Sequence, residues 1–125
     1  MSVKAFVSAQ EKLIYDRKWE KCKAQCEKAL KEYTYGEFPV DGRIYLYAAQ
    51  ANLNLGFLII AENMLYKCFN YEDQVQEVIL KAHSLLGRCY REQGHFDKAC
   101  KEYEKAVNHE EAEGDFIHSV AFDLG

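Results

Sequence analysis

Between Ala82 and Val107 the chain reads AHSLLGRCYREQGHFDKACKEYEKAV, with apolar positions recurring in steps of three and four. That is the period of a helix with one buried stripe. Ala82, Leu85, Leu86, Cys89 and Tyr90 form a first stripe; Phe96, Ala99, Cys100, Tyr103, Ala106 and Val107 form a second. Gln93-Gly94 interrupts them, and glycine supplies the left-handed backbone angles of a helix stop or tight turn. The pattern predicts a helical hairpin. Gly87 and Ala99 lie on the stripes, where a missing or minimal side chain lets two helices approach closely. Tyr90, Phe96 and Tyr103 are expected to fill the space beside that contact.

The rest of the chain repeats the pattern. Residues 2–33 predict a first hairpin: Ser2 can cap a helix through Phe6, Ala9, Leu13 and Ile14, Asp16-Arg17-Lys18 is the break, and Trp19 opens the second helix. Gln10 stands where Gly87 does and Arg17 where Gly94 does. Residues 34–41, TYGEFPVD, read as a connecting loop, since Gly36 and Pro39 oppose helix and Asp41 is a good N-cap. Tyr33, Tyr35 and Phe38 are expected to staple it to the helices. Residues 42–70 predict a second hairpin turning at Gly56, with Ala49 at the contact position and Asn52 in the place of Tyr90. A buried Asn52 needs a hydrogen-bond partner.

The third hairpin spans 73–109, its first helix starting near Asp73. Residues 108–115, NHEEAEGD, read as an acidic connection with Asp115 as cap, and 115–125 as a final helix. The spacing supports this division: Cys22, Ala61 and Ala99 are 39 and 38 residues apart, and Leu86-Gly87 to Leu124-Gly125 is 38. The final helix then either caps a stack or opens a further repeat. At 125 residues the expectation is a single domain, 1–125.

Leu86-Gly87, Tyr90, Gly94, Phe96, Ala99, Tyr103 and Ala106 together resemble the signature of the tetratricopeptide repeat (TPR), an antiparallel helix pair of about 34 residues. His83 stands where an aromatic often precedes the Leu-Gly pair, and Glu111 where the family often has proline. The resemblance implies an all-α fold, a right-handed α-solenoid of stacked antiparallel helix pairs, acting as a non-enzymatic protein-interaction scaffold.

The first helix of each TPR lines a concave surface. By resemblance, the residues facing it are Lys4, Val7, Glu11, Ile14 and Tyr15; then Arg43, Leu46, Tyr47, Gln50, Leu53 and Asn54; then Lys81, Ser84, Arg88, Arg91 and Glu92. Val7, Ile14, Tyr15, Leu46, Tyr47 and Leu53 would make one part apolar. Lys81, Arg88 and Arg91, with His95 nearby, would make the other part basic. An open strip of that kind calls for a protein partner with apolar anchors and an acidic end, bound extended or as a helix. The alternative is that the apolar residues pack against neighbouring helices. Val7 and Glu11 stand where a chaperone-carboxylate clamp would need its first pair, and Arg88 alone matches, so that role is not expected. A second functional class is a self-associating, homodimeric module of a larger assembly.

Composition narrows the choice. A single Pro and an apolar fraction near one half favour an ordered chain. No run of about 18 apolar residues predicts a membrane span, and Lys4 is followed by too short an apolar stretch for a signal peptide. A cytoplasmic or nuclear location is expected. A net charge of −4 argues against nucleic acid. Five Cys at non-metal spacings read as small buried hydrophobes, and His83, His95, His109 and His118 have no partner spacing that predicts a catalytic triad. No cofactor, metal or catalytic residue is expected.

Overall fold

The computed structural model describes residues 3–33, 42–70 and 76–107, and all the described segments are helical pairs joined by tight turns. The helices are α1 (Val3–Tyr15), α2 (Trp19–Tyr33), α3 (Gly42–Asn54), α4 (Leu58–Phe69), α5 (Gln76–Glu92) and α6 (Phe96–Val107). The Ser2 cap, the loop at 34–41 with its Asp41 cap, the side chain of Tyr33, the start of the third hairpin at 73 and the final helix at 115–125 lie outside the described residues. The chain divides into two compact units, 1–71 with α1 to α4 and 72–125 with α5 and α6.

All three turns are built alike. In each, two backbone bonds close the first helix: Lys18 and Arg17 donate to the carbonyls of Leu13 and Ile14, Phe57 and Gly56 to Asn52 and Leu53, and His95 and Gly94 to Tyr90 and Arg91. This is the paired closure of a helix that ends in a left-handed residue. That residue is Arg17 (φ 57°), Gly56 (φ 89°) or Gly94 (φ 85°). The next residue then starts the second helix, its carbonyl accepting from Cys22, Ala61 or Ala99 at 3.0 to 3.1 Å. One residue thus ends one helix and begins the other, which explains why Cys22, Ala61 and Ala99 hold their offset from the turn. Arg17 shows that the offset matters more than the glycine.

In unit 2, α5 packs on α6 through Gly87 and Tyr103. A β-carbon added at Gly87 would lie 2.9 to 3.1 Å from three carbons of the Tyr103 ring, and Tyr103 is 1% exposed. The glycine therefore serves as the floor on which the ring lies. Tyr90 is buried as expected. Phe96 is not: it is 64% exposed and fills no space in the seam. Phe96 opens α6 directly after the turn, at the tip of the hairpin and short of the Gly87–Tyr103 seam.

In unit 1, α3 and α4 carry Ala49 and Leu65 at the matching positions, both buried. α1 and α2 carry Gln10 and Cys26, both fully buried. Gln10 Nε2 donates to Gln25 Oε1 at 2.8 Å, and the Cys26 thiol lies 3.7 Å from Gln10 Oε1. Gln10 stands where the other hairpins have glycine or alanine, and α1 and α2 approach less closely than α3 and α4 or α5 and α6. α3 compensates, since it packs on α1, α2 and α4. Asn52 is buried and its side-chain Nδ2 donates to the Ala48 carbonyl at 2.7 Å, while its side-chain Oδ1 has no hydrogen-bond partner. Four cysteines are buried as small apolar residues, but Cys100 is exposed, contrary to the expectation.

Two predictions follow from the turns and the seam. Arg17→Gly removes the left-handed strain and raises stability by about 1 kcal/mol, while Gly94→Ala lowers it by a similar amount; urea unfolding checks both. Gly87→Ala costs about 1–3 kcal/mol through the Tyr103 clash, and Tyr103→Leu about 2–4 kcal/mol through a cavity. Together they reproduce the Ala–Leu pair of the second hairpin, so a double-mutant cycle shows the combined loss well below the sum of the two.

Candidate protein-binding surface

The residues singled out for partner binding separate by burial. On α1, Lys4 is exposed, and Tyr15, near the turn, is 87% exposed. On α3, Arg43, Gln50 and Asn54 are half-buried, and Asn54 Nδ2 donates to the Gln50 carbonyl at 2.8 Å. Tyr47 is nearly buried, and its hydroxyl donates to Glu11 Oε1 at 2.8 Å, tying α3 to α1.

Leu46 and Leu53 are 2% exposed and Val7 is 3% exposed. These three belong to the core, so the apolar part of the expected strip is not an open surface. The reason lies in α3, nine of whose thirteen residues are buried. A helix wedged among three others has little side left for a ligand. What unit 1 leaves accessible along its first helices is mixed: Lys4, Glu11 and Lys12 are exposed, Ile14 is half-buried, and Tyr15 is the large exposed ring.

In unit 2 the charged row of α5 lies to one side of its seam. Gly87 and His83 face α6, against Tyr103 and Glu102. At 100° per residue, Arg91 lies about 40° round the helix from Gly87, Arg88 about 100° and Lys81 about 120°. Lys81 pairs with Glu77 at 3.0 Å and Arg88 with Glu92 at 3.3 Å, both along the helix. Lys81 is exposed, and Ser84, Arg88 and Arg91 are half-buried. Exposed pairs of this kind hold the side chains weakly, so the cations can turn toward another anion.

Residues 80–113 match the family model of the tetratricopeptide repeat. The match falls on the hairpin in which Gly87 seats the Tyr103 ring, and all six helices follow its pairing. This hairpin is of TPR type. No curated protein and no solved structure matches the chain.

This TPR carries an ion pair that periodicity did not reveal. His83 Nδ1 lies 2.8 Å from Glu102 Oε2, and Lys105 Nζ donates to Glu102 Oε1 at 3.0 Å. Glu102 is 8% exposed. Burial pushes its carboxyl up, but the hydrogen bonds from His83 and Lys105 and their charges outweigh that, and the carboxyl is held below its usual range. The available signal was His83 standing at an aromatic position, with Glu102 nineteen residues on; in the second hairpin the matching residues are Tyr45 and Met64.

In unit 1 the paired thiols Cys22 and Cys26 are fully buried. Contact with Cys22 and then burial push the Cys26 thiol far up, so it stays protonated. Among the described residues no cluster of three or more His, Cys, Asp or Glu is placed to hold a metal, and no helix is long and apolar enough to cross a membrane. A cleft of about 390 Å³ lies between α2 and the α3–α4 turn, lined by Glu20, Lys23, Ala24, Glu27, Leu55 and Phe57. Lys23 fills part of it, 5.0 Å from the centre of the Phe57 ring and 2.5 Å from Glu27.

The Glu102 pair generates a pH dependence. Its carboxyl is easier to protonate unfolded than folded, so its contribution is complete above the unfolded value of 4.5 and fades as the pH falls below it. Glu102→Gln is expected to be less stable than the parent at pH 7, with the gap narrowing as thermal melts are repeated from pH 5 down to about pH 3.

Proposed function

We propose that the chain is a non-enzymatic scaffold whose first helices bind a protein partner through polar, mainly basic, contacts. The TPR is a protein-interaction repeat, and the observation that supports the reading is the basic row of α5, in which Lys81 and Arg88 lie about 100° or more round the helix from Gly87 and Arg91 lies nearer the seam. Arginine suits such a surface because its fork pairs with two carboxylate oxygens at once. The fitting ligand is an acidic peptide or an acidic helix face.

In unit 1 the same reading assigns Lys4, Tyr15, Arg43, Gln50 and Asn54 as contact residues. Tyr15 is the aromatic anchor, since it offers a large ring at small entropic cost. Leu46 and Leu53 support the helix that carries Arg43 and Gln50 but offer almost no surface of their own. Tyr47 contributes through its hydroxyl, which already holds Glu11.

The test is quantitative capture from cell extract with the parent chain, Arg88→Glu/Arg91→Glu and Tyr15→Ala. The expected result is loss of most of the captured protein with the charge reversal, at least about tenfold, with a melting temperature within a few degrees of the parent. Undiminished capture by the double variant removes the basic row as the site.

A further inference from the structure

We infer that the cleft between α2 and the α3–α4 turn takes an arginine side chain of a protein partner, and that Lys23 holds the place of that cation in its absence. The walls supply what such a group needs. Phe57 offers an aromatic ring that is 48% exposed. Glu20 and Glu27 bring carboxylates from two successive turns of α2, and Ala24 and Leu55 bring apolar surface. Lys23 already sets a cation among them, its Nζ 5.0 Å from the ring centre and paired with Glu27. The turn itself does not ask for the ring. Phe57 serves it through the backbone, donating to the Asn52 carbonyl and accepting from Ala61, and the other two hairpins have Lys18 and His95 at that place.

Charge selects the occupant. Two carboxylates face one ammonium, so the cleft stays negative with Lys23 in place. Glu20 makes no ion pair with another described residue. An anion is repelled there, and a neutral group in place of Lys23 leaves Glu27 without its cation. Lys23 is loosely held, because a part-exposed pair one helical turn apart and an exposed cation–ring contact are both weak. Arginine gains more from the same walls. Its planar cation lies flat on a ring, its fork meets carboxylate oxygens in pairs, and its stem covers apolar surface such as Ala24 and Leu55. None of the cleft residues is among the first-helix contacts assigned above, so the two readings fail independently.

The experiment is a ¹⁵N NMR titration of the full chain with N-acetyl-arginine amide at constant ionic strength. The amide signals of Glu20–Glu27 and Leu55–Phe57 are expected to move, with a dissociation constant on the order of 10 mM. The neutral isostere N-acetyl-citrulline amide leaves them in place, and N-acetyl-lysine amide binds about threefold more weakly. Glu27→Gln and Phe57→Leu each weaken arginine binding about threefold, with melting temperatures within a few degrees of the parent. Lys23→Met keeps the stem, removes the internal competitor and tightens binding about threefold, a gain that a merely structural lysine would not give. The inference is overturned if neither the parent nor Lys23→Met responds to arginine amide, if citrulline amide gives the same shifts, or if Lys23→Met brings no gain. Binding of lysine amide as tight as that of arginine amide overturns the choice of arginine.

Discussion

Two helices can run side by side only as closely as their facing side chains allow, and that limit sets the form of each hairpin here. In the third, Gly87 contributes no side chain and the Tyr103 ring lies on the backbone it leaves bare. In the second, alanine and leucine stand at the matching positions. In the first the volume moves to the other helix, with Gln10 on α1 and the small Cys26 on α2, and both are fully buried. Small residues on one helix answer large ones on the other, because close-packed interiors tolerate neither a void nor an overlap. The first hairpin also pays for its exchange in chemistry, since a buried glutamine must be hydrogen-bonded. Gln25 and the Cys26 thiol answer that need.

The turns make the exchange possible. A three-residue connection whose middle residue is left-handed fixes where the second helix starts relative to the end of the first. Cys22, Ala61 and Ala99 therefore arrive at equivalent points whatever the sequence around them. Arg17 adopts φ 57° without being glycine. The surrounding closure bonds and the packing of two helices outweigh the penalty of about 1–2 kcal/mol for a residue bearing a β-carbon.

The spacing of small residues was legible in the sequence, and with it the helices, the turns and the family. Periodicity fixes which residues share a side of a helix, and the turn residues fix where each helix ends. The number of neighbours pressing on a helix is not written in its own period. α3 has an ordinary amphipathic pattern but is packed on three sides, so Leu46 and Leu53 became core, although their register alone suited a groove. Phe96 erred the other way: an aromatic on the stripe, but beside the turn at the hairpin's tip and left exposed. The His83–Glu102 pair joins two helices across nineteen residues, and neither residue breaks the local pattern enough to announce the other.

Burial and exposure divide the labour among the repeats. Positions at the seam vary only in compensated pairs, because each change there must be answered across the contact. On the side of the second helices away from the seam, α2 and α6 carry ordinary charged residues, and Glu20 and Glu27 of α2 line the cleft against Leu55 and Phe57. Ile59, Ile60 and Tyr66 go against that default at no benefit to the core, since each stays substantially exposed. Exposed apolar surface gains nothing in free energy until something covers it.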